Sequence, residues 1–325
     1  MFYFNKFDVK FVFMKNLIII GILLILFVSC SKDKKSQKAA VKMQEFVIDI
    51  SKYAKGINPN FIIVPQNGEE LIYNETDQSA GMNESYVTAI SGIGSEDIFY
   101  SGTQGIDAWR LDILREAKDR LKIMLSDYVA LSVDVPLFVQ KATDEGFICF
   151  PRVSGNDGYT DIPDSVINNN TLAVNQLSQA QNYLYLINTD GFSSKEQFIN
   201  EIDATNYDVL LIDLFYDDSI LTPTDLNLLK TKPNGNRRLV LSYINIGAAE
   251  NWRYYWQDDW ELHSPLWLKK PYEGYQDEIW VKFWKNEWQD IIFGNNDSYI
   301  KKIIDAGFDG AYLDNVEAYH FLYYD

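Results

Sequence analysis

Several apolar segments of this chain end in acidic residues. Carboxylates serve as general acids, general bases and nucleophiles, and two of them in one site can divide those roles. In parallel α/β enzymes the reacting groups lie at the carboxyl ends of the strands, so acids that follow strands converge on one pocket. The acids that follow apolar segments here are Asp314, Asp213, Asp134 and the adjacent pair Glu69 and Glu70.

Composition narrows the possible chemistry. The chain has 325 residues, of which 47% are hydrophobic, and a formal net charge of −17. This charge disfavours nucleic acid as a partner because the two would repel each other. With two histidines in the sequence, a Ser-His-Asp triad or a His-rich zinc site is not expected. We therefore expect carboxylate chemistry that uses neither a metal nor an organic cofactor.

Apolar strands alternate with helical stretches, which predicts an α/β fold with parallel pairing. Eight strands fit a (β/α)8 TIM barrel, and a doubly wound open sheet is the alternative. The predicted strands are 61–66, 97–101, 128–134, 147–152, 183–188, 208–214, 238–246 and 310–314. The predicted helices are 39–56, 107–125, 135–145, 194–204, 224–230 and 287–306.

The amino terminus has the pattern of a bacterial lipoprotein signal. Lys15 precedes an apolar run over 17–28, Cys30 follows it, and the next residues are rich in lysine. The alternative is an ordinary signal anchor, although the run is short against the ~20 residues of a membrane span. We predict lipidation of Cys30 and a location in the bacterial cell envelope, anchored by lipid to the outer membrane or the cell surface.

The predicted domain organisation follows from these segments. Residues 1–30 form the signal peptide, 31–40 a tether, and 41–325 one TIM-barrel domain. Within that domain, residues 154–181 are rich in Gly, Asn, Gln and Ser and are predicted to be a linker between two halves of four strands each.

Several motifs resemble glycoside hydrolase family 114, the endo-α-1,4-polygalactosaminidase-like barrels. In the second half they are LSYINIGAAENWRYYW (241–256), WVKFW (280–284) and GFDGAYLDNVEAY (307–319). In the first half they are FVIDISKYAKG (46–56), NPNFIIVPQNGEEL (58–71) and GIGSEDIFY (92–100). The resemblance implies that the halves stand in reversed order: 41–153 resembles the family's carboxyl-terminal half and 182–325 its amino-terminal half. The chain therefore resembles a circularly permuted member of the family, with a rearranged gene as the alternative.

The resemblance also implies the reaction, which is cleavage of an α-1,4-linked galactosamine-containing polysaccharide by two carboxyl groups. Such groups lie about 5 Å apart in retaining enzymes and ~6.5–9.5 Å apart in inverting ones. Asp314 is implied as nucleophile or stabiliser and Glu70 as general acid/base, with Glu69 as the substitute. The residues expected to contact the substrate are Asp213, Glu250, Asn251, Arg253, Tyr254, Trp284, Asn67 and Asp134.

Other roles stay open for these residues. Asp314 could cap the next helix, and Glu69 and Glu70 could simply begin a surface helix, where acids are favoured. A barrel that keeps the groove but not the chemistry would make the protein a noncatalytic glycan-binding surface lipoprotein. Under both interpretations the expected partners are a polysaccharide and, through the lipid, a membrane.

Overall fold

Helices and parallel strands alternate along the chain. The computed structural model describes residues 6–153 and 159–324, with side chains from residue 32 onward. The strands are β1 (Ile62–Pro65), β2 (Gly92–Ser95), β3 (Tyr100–Gln104), β4 (Lys122–Leu125), β5 (Tyr128–Val129), β6 (Ile148–Cys149), β7 (Tyr183–Leu186), β8 (Val209–Asp213), β9 (Phe215–Tyr216), β10 (Ser219–Ile220), β11 (Leu239–Asn245), β12 (Ala248–Glu250), β13 (Leu268–Tyr272), β14 (Tyr275–Val281) and β15 (Gly310–Asp314). The α-helices are α1 (Lys6–Ile57), α2 (Glu84–Ala89), α3 (Ala108–Ala117), α4 (Val135–Glu145), α5 (Lys195–Asp203), α6 (Pro223–Leu229), α7 (Asn286–Ile292), α8 (Tyr299–Ala306) and α9 (Ala318–Phe321).

Two parallel sheets form the centre. The larger has the order β7-β8-β11-β15-β1, and the smaller has the order β2-β4-β6. A parallel bridge between Gln66 and Gly94 joins them where β1 runs beside β2. The last strand of the chain therefore lies beside the first, and eight parallel strands follow one another in space. This confirms the predicted α/β class and the parallel pairing.

Closure of these strands into a barrel is not shown. In the part of the chain that the structure describes, no strand pairing joins β6 to β7. Side chains bridge this gap instead. The Tyr183 hydroxyl donates to the Leu125 carbonyl at 2.6 Å, and the Phe150 and Tyr183 ring centroids lie 6.0 Å apart.

Two sheet strands differ from the predicted ones. The sheets use β2 and β4, whereas the predicted strands 97–101 and 128–134 fall on β3 and β5, which form a separate parallel pair. β2 has the sequence Gly-Ile-Gly-Ser, which carries no strand pattern. Its glycines are needed for close approach: a Cβ on Gly94 would lie 1.8 Å from the Tyr312 hydroxyl. The helix predicted over 107–125 is shorter in the structure, where α3 ends at Ala117 and β4 begins at Lys122.

The amino-terminal helix α1 covers the sheet beside β1. Its apolar residues recur every three or four positions and are buried, at Met43, Phe46, Ile50 and Ala54. The middle of α1 lies at the carboxyl ends of the strands, because the Ser36 hydroxyl donates to the Tyr319 carbonyl at 3.1 Å. Over the described residues, no helix is both long enough and apolar enough to cross a membrane. The side chain of Cys30, the predicted lipidation site, lies outside the described residues.

Gly247 lies where two strand ends meet. A Cβ at this position would stand 1.9 Å from the Asn315 carbonyl oxygen and 2.8 Å from the Ala318 Cβ. Because the nearest atom belongs to the backbone, no side-chain rotation can relieve the overlap. We expect Gly247→Ala to lower the free energy of unfolding by about 3 kcal/mol, measured by urea denaturation. Gly105→Ala is the matched control, since nothing lies within 4 Å of its Cβ; equal stability of the two variants would contradict the packing described here.

Candidate active site

A cavity of about 720 Å³ opens at the carboxyl ends of the parallel strands. Nine of its lining residues are Asp or Glu, and Arg253 is the one Lys or Arg among the lining residues that the structure describes. The nine acids are Glu96, Asp190, Asp213, Asp217, Asp218, Glu250, Glu278, Asp314 and Glu317. Over the described residues, no three His, Cys, Asp or Glu side chains are grouped to hold a metal ion. With nine acids and one arginine among its described lining residues, the cavity is strongly acidic.

Asp314, at the end of β15, lines this cavity as its sequence position predicts. The Tyr243 hydroxyl donates to its Oδ2 at 2.5 Å, and the Asn315 amide donates to its Oδ1 at 2.7 Å. Burial raises the pKa of Asp314 to about 7, and the negative charges of Glu96 and Glu250 add to that rise, whereas the two hydrogen bonds oppose it. Both carboxylate oxygens are thus fixed in place by donors that favour the ionised form.

Glu96 follows β2 and lines the same cavity. Tyr159, from the segment predicted as a linker, donates its hydroxyl to Glu96 Oε1, and Arg152 Nη2 lies 3.8 Å from that oxygen. One strand, β1, separates β2 from β15. At about 4.8 Å per strand, the backbones carrying Glu96 and Asp314 are about 10 Å apart. Side chains that enter one cavity from backbones about 10 Å apart can reach the separation that glycoside hydrolysis requires.

The predicted acid/base candidates Glu69 and Glu70 are not among the residues that line the cavity. Glu69 is buried and paired with Arg110, whose Nη2 lies 2.7 Å from Oε1. Glu70 accepts a hydrogen bond from the Tyr319 hydroxyl, and burial raises its pKa. The cause is local: Asn67 and Gly68 both have positive φ, 60° and 61°, so the chain turns away before the two acids.

Arg253 joins two of the predicted substrate contacts. Its Nη2 lies 2.8 Å from Asp213 Oδ2 and its Nε 2.7 Å from Glu250 Oε2. All three residues line the cavity, as Asn67 does. Burial raises the pKa of Glu250, while the charge of Arg253 lowers it. The bridging guanidinium fixes the ends of β8 and β12 relative to each other.

Four predicted substrate contacts are not among the residues that line the cavity. The Asn251 side chain is exposed and reaches Asp277 at 3.3 Å. Tyr254 lies against the Phe215 ring at a centroid distance of 5.8 Å. Asp134 ends a 3-10 turn before α4, because the strand predicted at 128–134 stops at Val129. The ring of Trp284 lies under the Lys42 ammonium group at 4.5 Å.

Several residues of the cavity escaped prediction. Glu278 lies on β14, in a small antiparallel sheet that no motif indicated, and Asn245 donates to its Oε2 at 3.1 Å. Burial, followed by the charges of Glu250 and Asp314, raises the pKa of Glu278 to about 8. Glu96 stood within the motif GIGSEDIFY, but the predicted strand 97–101 placed it before the strand instead of after it. The aromatic residues Trp252, Tyr272, Tyr275 and Phe321 also line the cavity.

Comparison with known proteins gives a match to one family and to several curated relatives. Residues 170–322 match the model of glycoside-hydrolase family GH114. An uncharacterized protein of Thermotoga maritima is 31% identical over 121 residues, which cover 37% of this chain and 36% of that protein. Uncharacterized protein MJ1477 of Methanocaldococcus jannaschii is 35% identical over 124 residues, covering 38% and 34%. An uncharacterized protein of Deinococcus radiodurans is 31% identical over 121 residues, covering 37% of each chain.

The matches span about a third of the length of these relatives. The family match covers β7, β8, β11 and β15, and thus Asp213, Glu250, Arg253, Glu278 and Asp314 of the cavity. The resemblance indicated by the sequence motifs is therefore confirmed over residues 170–322, the segment of this chain that matches glycoside-hydrolase family GH114.

Proposed function

We propose that this protein is a glycoside hydrolase that cleaves α-1,4-linked galactosamine-containing polysaccharide within the chain. Asp314 acts as nucleophile or charge stabiliser, and Glu96 acts as general acid/base in place of Glu70. The observation that carries the proposal is that both carboxyl groups line one cavity at the carboxyl ends of the strands. The match of residues 170–322 to a glycoside hydrolase family supports the reaction class.

The surroundings of Asp314 support its part in this division of roles. Both oxygens of Asp314 accept hydrogen bonds, which orients the carboxylate and favours the negative charge that a nucleophile or stabiliser needs. Glu96 lines the same cavity from the far side of β1, and in the proposed complex it lies on the opposite side of the scissile bond from Asp314. In the first step Glu96 gives its proton to the departing glycosidic oxygen while Asp314 attacks the anomeric carbon or stabilises its positive charge. Glu96 then takes a proton from the water that releases the sugar.

The charge of the cavity supports an amino-sugar substrate. Nine acids and one arginine among the described lining residues attract a cationic polymer and disfavour an anionic one. Galactosamine with a free amino group carries such a positive charge. Glu278 is well suited to pair with it, because a neighbouring ammonium group would favour the ionised form of Glu278 against burial and the charges of Glu250 and Asp314, which together raise its pKa. The rings of Trp252, Tyr272 and Tyr275 offer faces for stacking on sugars and for cation–π contacts.

The pH dependence of hydrolysis follows from the pKa of Asp314. The protonated carboxyl group cannot attack or stabilise charge, so kcat/KM should rise with pH through about 7, where Asp314 ionises in the free enzyme. Tyr243→Phe removes a hydrogen bond that favours the carboxylate, so this limb should move to higher pH. The measurement is kcat/KM between pH 5 and 9 for both proteins. A wild-type profile that is flat below pH 7 would contradict the role given to Asp314.

The function itself is tested by release of reducing ends from α-1,4-galactosamine polymer. We expect the partly deacetylated polymer to be cleaved and the fully N-acetylated polymer to be cleaved much more slowly, because only the former is cationic. Cleavage of the N-acetylated polymer alone would overturn the amino-sugar specificity. Binding of the deacetylated polymer without any cleavage would favour the second candidate, a noncatalytic glycan-binding lipoprotein.

The proposal includes a closed TIM barrel in permuted order. The continuous order of parallel strands from β7 through β15 and β1 to β6 supports it, as does a family match confined to the second half of the chain. In this arrangement α1 supplies the helix that follows β15 in space, and 154–181 joins the ends that are termini in the family.

We also propose lipid anchoring through Cys30. The middle of α1 contacts residues that follow β15: the Ser36 hydroxyl donates to the Tyr319 carbonyl, and the Tyr324 hydroxyl donates to Asp33. With Cys30 anchored, the helical residues between it and Ser36 would keep the open face of the cavity near the membrane. Protease access showing that this face points away from the membrane would overturn the arrangement.

A further inference from the structure

A buried ion pair lies directly behind Glu96. Arg110, on α3, donates from Nε to Glu69 Oε2 at 2.9 Å and from Nη2 to Glu69 Oε1 at 2.7 Å. The Ser95 hydroxyl also donates to Glu69 Oε1. The Glu69 side chain is 1% exposed and that of Arg110 is 18% exposed. This fork-to-fork geometry fixes the guanidinium in one orientation.

The same guanidinium group also binds the backbone of Glu96. Arg110 Nη1 donates to the Glu96 carbonyl oxygen at 2.9 Å, and Nη2 donates to Asn67 Oδ1 at 2.8 Å. The same Asn67 oxygen accepts the Glu96 amide at 3.1 Å. The amide and the carbonyl of Glu96 are therefore both bound, one through Asn67 and the other directly by Arg110.

Glu96 needs this support because it lies just beyond the strand ladder. The pairing of β2 with β4 ends at Ser95, and Asp97 has a positive φ of 57°. A residue at such a turn is not aligned by strand hydrogen bonds, so side chains must fix the direction in which it points. A buried ion pair is in general weak evidence for stability, because desolvation offsets the attraction of the charges.

We infer that the Glu69–Arg110 pair is a positioning device that holds Glu96 in the orientation needed to protonate the departing glycosidic oxygen. This inference rests on the proposed function, in which Glu96 is the general acid. It gives Glu69, predicted from the sequence as a catalytic substitute, a different part in the reaction. Glu69 touches no substrate and acts through Arg110 on the backbone of Glu96.

The test compares leaving groups. Cleavage of natural glycosidic bonds needs a proton from Glu96, whereas a 2,4-dinitrophenyl glycoside releases dinitrophenolate, which leaves without being protonated. In Glu69→Gln, we expect kcat/KM on the polymer to fall by about 10- to 100-fold, because kcat/KM reports the first chemical step. On the dinitrophenyl glycoside of the same amino sugar it should stay within about threefold.

Arg110→Lys provides a second variant, which keeps the positive charge but loses the planar fork, and the same selective loss is expected. Glu145→Gln is the matched control, because it removes the charge of Glu145 on α4 from its ion pair with Arg115, which lies on the same helix α3 as Arg110. Equal losses on both substrates, or polymer cleavage at the wild-type rate in both variants, would overturn the positioning role alone. No cleavage of either substrate by the wild type would overturn the proposed function, and this inference with it.

Discussion

Asp314→Asn should lower kcat on the galactosamine polymer by roughly 10⁴-fold or more, which corresponds to about 5.5 kcal/mol of transition-state stabilisation. The amide keeps the shape of the carboxylate and can still accept the hydrogen bond from Tyr243. It cannot attack the anomeric carbon or balance the positive charge that develops there. The measurement is release of reducing ends at pH 7–8 with concentrated enzyme.

Stability distinguishes this chemical loss from unfolding. Burial raises the pKa of Asp314, so the folded state binds a proton more tightly than the unfolded state does. Stability is then lost as pH rises through about 7, and Asn, which is never charged, avoids that loss. We therefore expect the Tm of Asp314→Asn at pH 8 to equal or exceed that of the wild type. Asp134→Asn, outside the cavity, should keep full activity; turnover by Asp314→Asn within tenfold of the wild type would contradict the assignment.

Glu96→Gln should lower kcat/KM on the polymer by about 10²- to 10⁴-fold, the usual range for removal of a general acid. Turnover of a dinitrophenyl glycoside should be affected far less in its first step, because dinitrophenolate leaves without protonation. Azide should restore part of the second step, since it needs no base to attack the glycosyl intermediate. These three results together distinguish a lost acid/base from a lost sugar contact.

Glu70→Gln is the paired variant for this prediction. Its carboxyl group is bound by Tyr319 and does not line the cavity, so activity should stay within about threefold of the wild type. The reverse outcome, with a large loss in Glu70→Gln and little change in Glu96→Gln, would restore the assignment that the family resemblance implies. It would also require Tyr319 and the Asn67-Gly68 turn to move on binding substrate.

The sequence predicted the larger sheet well because its strands have a strong apolar pattern. β8, β11 and β15 are buried on both faces, so their runs of Val, Leu and Ile stand out against the helices between them. Asp314 could be placed from that pattern, since it lies one residue after Leu313. The predicted strands 61–66 and 183–188 likewise contain β1 and β7.

Glu96 could not be placed in the same way because its strand has no pattern. Gly94 of β2 is required by Tyr312, a residue more than 200 positions away, whose hydroxyl lies where a side chain at Gly94 would stand. A long-range contact of this kind is not visible in a local window. The predicted strand therefore begins at 97, after Glu96. Glu69 and Glu70 are implied by the family resemblance, and the turn at Asn67 and Gly68 leads both of them away from the cavity.

Glu278 could not be predicted from the sequence for a different reason. It reaches the cavity only because β14 pairs with β12 through the register Glu250 with Glu278. In the sequence, neither the polar residues of β14 nor the position of Glu278 two residues before Trp280 indicates an active-site acid. Such a residue becomes visible once the antiparallel sheet is assembled over the strand ends.

The most direct test of the account is covalent trapping of the nucleophile. A 5-fluoro glycosyl fluoride of galactosamine forms a slow-turnover glycosyl-enzyme in retaining hydrolases, and proteolysis with mass spectrometry identifies the labelled residue. We predict a label on Asp314, absent from Asp314→Asn and formed by Glu70→Gln at the wild-type rate. A label on Glu69, Glu70 or Glu278, or no label in a wild type that cleaves the polymer, would contradict the assignment of Asp314 as the nucleophile.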